Sequence, residues 1–165
     1  MYCKKYFDKG GVQFYMSSET AAKARNLAGE YFRSGYNCAE SVFLAFRELF
    51  APELDAGTVK MFTGLGGGFG HAGCVCGALS ASCAAISYLT GRTRADEDRY
   101  RAYGATKEFC ELFEKRFGGT CCRVLNPYTY DTPEHLRNCL KITGTTAMML
   151  AEYLACKGLD GEGGA

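Results

Sequence analysis

The chain has 165 residues, 47% of them hydrophobic and 22% charged, with 19 Lys+Arg against 18 Asp+Glu. That length supports one domain with a real core, the hydrophobic and charged fractions exclude wholesale disorder, and the even charge balance excludes a nucleic-acid footprint and a polybasic membrane patch. Glycine (21) and cysteine (10) are the unusual counts, so the functional argument has to come from them.

Residues 1–16 carry aromatics without a period and break at Gly10-Gly11, which reads as an N-terminal arm. The domain is expected over 17–157. Ser17-Ser18 offers a helix N-cap, and Thr20 to Arg33 shows an apolar stripe through Ala21, Ala24, Leu27, Ala28 and Tyr31. Asn37 is a second N-cap, with Glu40 at the capping-box position, before a helix over Cys38 to Phe50. Thr58 to Thr63 reads as a short helix, and the run Gly64-Leu65-Gly66-Gly67-Gly68-Phe69-Gly70 as non-helical.

No Asp, Glu, Lys or Arg occurs between Lys60 and Arg92. The segment Gly73 to Leu89 is too short and too rich in Gly, Ala and Ser for a membrane span, and suits a helix buried among helices. Asp96 to Phe117 is a long amphipathic helix whose aromatic stripe serves as core or as the face of a homo-oligomer. Cys121 to Leu125 is short, and Asn126-Pro127 and Asp131-Thr132-Pro133 are turn signals. Lys141 to Cys156 is a final helix, and 158–165 a flexible tail. No segment alternates as a strand. The expected fold is all-α: a single, bundle-like helical domain of five or six helices.

Met1 to Tyr15 carries Lys4, Lys5, Asp8 and Lys9 and no apolar stretch of a secretory signal, so a cytoplasmic, thiol-reduced protein is expected. There, many cysteines favour metal binding or redox chemistry over structural disulfides. No C-x-x-C occurs, which removes zinc ribbons, thioredoxin-type pairs and bacterial ferredoxin runs. With His71 and His135 the only histidines, what remains is an all-thiolate site or a dithiol pair assembled from distant cysteines. Cys83, Cys110 and Cys156 fall in helical apolar patterns and read as core filling.

Cys38 and Cys76 both stand at the start of a helix, where free N–H groups and the helix dipole lower a thiol's pKa; both are expected to be acidified. The loop before Cys76 is a weak phosphate signal, since it lacks a preceding strand and a Gly-Lys-Ser/Thr. Gly77, in the first turn of its helix, implies that something lies against its Cα: a cofactor atom, a loop backbone or the helix carrying Cys38. Gly91, which only ends that helix, should tolerate a methyl better.

Read in order, Tyr36-Asn37-Cys38-Ala39-Glu40-Ser41-Val42, Gly66-Gly67-Gly68-Phe69-Gly70, Val75-Cys76-Gly77-Ala78-Leu79-Ser80, Cys122-Arg123-Val124-Leu125 and Cys139 resemble the C_GCAxxG_C_C family of redox-active proteins. The resemblance runs from about Gly35 to Cys139. It carries the family's four cysteines onto Cys38, Cys76, Cys122 and Cys139, and implies that they converge as catalytic thiols or metal ligands. Two departures are Ala81 in place of the motif's last glycine, and Cys121 beside Cys122, where Arg123 favours Cys122.

Four thiols are the complement of an iron–sulfur cluster; zinc, a poorer fit to this spacing, and two dithiol/disulfide pairs are the other options. Gly66, Gly67, Gly68, His71 and Gly77 are the candidates for lining a cofactor. His71 reads either as a partner of a cluster sulfur or as a solvated loop residue, and Arg123 as an anion partner or a surface ion pair. A redox partner protein fits the resemblance. The competing reading is a non-catalytic helical domain in which the glycine-rich loop holds an anion and the cysteines only fill space.

Overall fold

A computed structural model describes residues 19–160 and two short strands in the N-terminal arm. The strands, Tyr6–Phe7 and Gln13–Phe14, pair antiparallel with Tyr6 opposite Phe14. The Ser17-Ser18 cap and the end of the tail lie outside the described residues. The rest is helical: α1 (Glu19–Arg33), α2 (Cys38–Phe50), a 3₁₀ helix (Ala56–Leu65), α3 (Gly66–Phe69), α4 (Gly77–Thr90), α5 (Tyr100–Phe117), α6 (Cys122–Leu125) and α7 (Pro133–Lys157). No helix among the described residues is long and apolar enough to cross a membrane.

The described residues thus hold seven α-helical segments rather than five or six. The addition is α3, a single turn inside the glycine run. Gly67 (φ 63°) and Gly68 (φ 70°) lie in the left-handed region there, so it is no continuation of the right-handed pattern that sequence periodicity detects.

The larger correction is α7. It begins eight residues before the expected Lys141, because Thr132-Pro133 is a helix start as well as a turn signal. The Thr132 hydroxyl accepts from the His135 N–H (3.3 Å), and Pro133 takes a first-turn position where its missing N–H costs nothing. Cys139 therefore stands on a helix, not on a loop.

Packing follows the small residues. Ala21, Ala24, Ala28 and the buried Gly29 form the inner face of α1, which lies along α7. A Cβ on Gly144 would stand 3.3 Å from the Arg25 side chain, so the glycine sets how closely the two helices approach. α4 is buried at Ala78, Leu79, Ala81, Ala85 and Ile86 and packs on α2, α5 and α7. The expected buried small-residue helix is this one, and the site forms at its N-terminal end.

Candidate functional site

Asn37 accepts from the N–H groups of Ala39 (2.9 Å) and Glu40 (3.1 Å), while the Glu40 carboxylate accepts from Asn37 N–H (2.9 Å). Both halves of the expected capping box are present. Asn37 also donates to the Thr63 carbonyl (2.9 Å), and the Thr63 hydroxyl to Glu40 (2.5 Å). The cap therefore ties the 3₁₀ helix to the start of α2, where Cys38 is 3% exposed.

Residues 73–76 and 120–123 are joined by backbone pairing. Val75 bridges Cys121, Cys76 N–H donates to Thr120 O (2.8 Å), and Cys122 N–H donates to Cys74 O (2.6 Å). This zipper delivers two thiols to one place: Cys76, the N-cap of α4, and Cys122, the first residue of α6. Cys121 and Cys74 are exposed, whereas Cys122 is buried and faces the other thiols, which makes it the third cysteine of the set.

Cys38 is the hub. The Cys139 thiol hydrogen-bonds its sulfur, and the N–H groups of Gly67, Ala39 and Ala78 reach it from the glycine turn, α2 and α4. Against the cost of burial, these donors hold Cys38 down at about 7. Cys139 is pushed up because its proton serves Cys38; burial and the neighbouring charge add to the shift. Thr143 Oγ1, buried with no nitrogen or oxygen partner, lies beside it.

Cys76 corrects the sequence expectation: burial, then the Cys38 charge, push it up to about 12 despite its place at a helix start. The dipole argument holds for one thiol only, because the first thiolate penalises the second in a buried site. Cys122 is likewise raised by burial and by Cys38, and Tyr130 offsets this with a hydrogen bond.

The glycines let the chain close on itself. A Cβ on Gly77 would stand 2.7 Å from the Leu65 carbonyl and 2.8 Å from Cys38 Sγ, so loop backbone and Cys38 supply the expected close approach. A Cβ on Gly68 would meet Cys74 N (2.7 Å) and the Cβ of Cys122 (2.8 Å). Gly66 lies under the Asn37 side chain and Gly67 under the His71 ring. Gly91 is less permissive than expected, since its Cβ would collide with the Ser87 carbonyl.

Phe69 (φ 63°), Gly70 (φ 61°) and His71 (φ 68°) extend the left-handed turn begun at Gly67. Two non-glycine residues in that region cost about 1–2 kcal/mol each. The surroundings hold them in place: Arg123 donates to the carbonyls of Ala72 (2.6 Å) and Gly73 (3.1 Å), and Tyr130 Oη to that of Gly67 (3.1 Å). Arg123 is thus a clamp on the loop, and it makes no ion pair among the described residues.

His71 is exposed and stacks on Tyr130 (4.1 Å between centroids), and the Tyr130 ring also meets His135 edge to face (4.9 Å). Tyr130, not His71, makes the hydrogen bond to a thiol. Sequence reasoning missed Tyr130 and His135, because neither belongs to a motif and both lie in what reads as a turn. His135 is buried, its Nδ1 faces the Asp131 N–H (3.4 Å), and its Nε2 has no partner. Burial lowers its pKa.

Cys83 and Cys110 are half-buried against the core, as expected of filling residues, and hydrogen-bond each other between α4 and α5. Cys156 is half-buried on the last turn of α7.

A cavity of about 780 Å³ opens on Cys38 and Cys139. Four thiols are the right donors for an iron–sulfur cluster or zinc. Among the described residues no three Cys, His, Asp or Glu side chains stand as ligands to a single metal ion, as a zinc site requires. The arrangement is a pair, Cys38 and Cys139, with Cys76 and Cys122, both raised by burial and the Cys38 charge, beside it.

The profile of the family described as "Putative redox-active protein (C_GCAxxG_C_C)" matches residues 36–153. An uncharacterized protein of Archaeoglobus fulgidus is 31% identical over 137 residues, covering 75% of this chain and 88% of that relative. No solved structure matches the chain significantly. With its four cysteines gathered around Cys38 and the family's pattern running through most of its length, the chain belongs to the C_GCAxxG_C_C family of redox-active proteins.

Proposed function

We propose that the protein is a thiol–disulfide redox protein in which Cys38 attacks and Cys139 resolves. The observation that carries this is the convergence on the buried Cys38 sulfur of Cys139 and the N–H groups of Gly67, Ala39 and Ala78, which favours the thiolate at Cys38 and keeps the proton on Cys139. A thiolate near neutral pH is the form that attacks a disulfide sulfur, and a pKa close to ambient pH gives the best balance of thiolate fraction and nucleophilicity.

The order of events follows from the electrostatics. Cys38 attacks one sulfur of a disulfide, the S–S bond breaks, and one thiolate leaves. Cys38 is then neutral, so the main causes of the Cys139 shift, its bond to the Cys38 thiolate and that thiolate's charge, are gone. Cys139 loses its proton to the departing thiolate or to solvent and attacks the Cys38 sulfur. The second thiolate leaves, and a Cys38–Cys139 disulfide remains. Two electrons pass to the substrate, and an external dithiol restores the pair. Cys76 and Cys122 stay protonated beside it.

Trapping tests the reading. Cys139→Ser should accumulate a mixed disulfide at Cys38, detected as a mass adduct, where the wild type releases both halves. Protein purified without oxygen and assayed for iron and acid-labile sulfide supplies the other arm. Stoichiometric iron and sulfide lost on Cys38→Ser, with no adduct on Cys139→Ser, would replace the thiol reading with a cluster.

A further inference from the structure

The cavity over the thiol pair has charged side chains of its own. Its floor includes Cys38 and Cys139, and Arg33 from the end of α1 and Arg137 from α7 stand in its lining. Neither arginine has an ion pair or a hydrogen bond among the described residues. Asp131 is the one carboxylate in the same lining, and its charge acts on His135 behind it. Two guanidiniums without partners among the described residues offset Asp131 and the Cys38 thiolate in total charge, and they give the cavity donors suited to carboxylate or phosphate oxygens. Phe32, Leu136 and Leu140 supply apolar wall beside the polar Asn37, Thr63 and His71.

Size and depth decide between a small molecule and a protein. Cys38 is 3% exposed, so a disulfide set in a folded partner's surface cannot reach it without remodelling one of the two. A volume of about 780 Å³ lies inside the range of small-molecule pockets.

We infer that the substrate of the Cys38–Cys139 pair is the disulfide of a small anionic thiol, whose carboxylate or phosphate is held by Arg33 and Arg137 while its S–S bond lies over Cys38. The inference rests on the thiol–disulfide reading above. The step balances as R–S–S–R plus the protein dithiol giving two R–SH and the protein disulfide; an external dithiol closes the cycle.

Three disulfides of nearly equal length and different charge test it: 3,3′-dithiodipropionate (anionic), 2-hydroxyethyl disulfide (neutral) and cystamine (cationic). Each is mixed with reduced protein, and Cys38–Cys139 disulfide formation is timed by mass spectrometry. The anionic reagent should outpace the cationic one by roughly tenfold at low salt, after each rate is divided by its rate with a free thiol. The ratio should fall toward one in Arg33→Gln/Arg137→Gln and shrink as salt is raised. A ratio near one in the wild type, or one unchanged in the double variant, overturns the anionic class while leaving the thiol pair standing. Failure of all three reagents to produce the Cys38–Cys139 disulfide overturns the thiol reading and this inference with it.

Discussion

At Cys38 the local chemistry is unusually one-sided. Three backbone N–H groups and one thiol converge on a sulfur that burial alone would keep protonated. Alkylation should therefore separate the cysteines by pH. Cys38, at about 7, should gain reactivity as pH rises through neutrality and level off above it, provided the reagent fits the cavity. Cys76 and Cys83, each pushed up to about 12, should label only at strongly alkaline pH. Peptide-level labelling between pH 5 and 10 checks this; equal rates at Cys38 and Cys76 at pH 7 would contradict it. Cys139→Ala removes the largest cause of the Cys38 shift, so the Cys38 midpoint should move up toward the ordinary thiol value. Tyr130→Phe should cost about 1 kcal/mol through its bond to Gly67 and raise the Cys122 pKa further.

At the scale of elements, helix starts and close approaches fix the site. The Asn37 capping box was legible because its residue types and spacing are local. The need for Gly77 was legible because a glycine in a helix's first turn goes against propensity. The left-handed turn at 67–71 was not legible beyond its glycine content, since Phe69 and His71 adopt positive φ only under tertiary constraint. The start of α7 was misplaced because Thr-Pro serves turns and helix N-termini alike. Cys76 was misjudged because the dipole is local while the Cys38 charge arrives through the fold. Glycine substitutions test these points by thermal melts. Gly77→Ala, with backbone at 2.7 Å and Cys38 Sγ at 2.8 Å, should cost about 1–3 kcal/mol and disturb the Cys38 midpoint. Gly104→Ala, in α5 with open space at its Cβ, should stabilise by about 0.5–1 kcal/mol and leave that midpoint alone.

Across the whole molecule, the site is where the N-terminal ends of α2, α4 and α6 meet the side of α7. The all-α class and the convergence of Cys38, Cys76, Cys122 and Cys139 were expected; which two would pair was not, because pairing depends on the placement of α7. A Cys38–Cys139 disulfide would close a loop of about 100 residues, for which the chain-entropy account gives about 4.7 kcal/mol at most. The oxidised protein should therefore melt higher than the reduced one, with the gap abolished by Cys38→Ser or Cys139→Ser. The most direct test of the central claim is a redox titration: protein equilibrated in graded dithiol/disulfide buffers, quenched in acid, and mapped by mass spectrometry. The account predicts a Cys38–Cys139 disulfide appearing in one two-electron transition while Cys76 and Cys122 remain thiols. A Cys38 that stays reduced across the series, or that pairs with Cys76 or Cys122 instead, would contradict it.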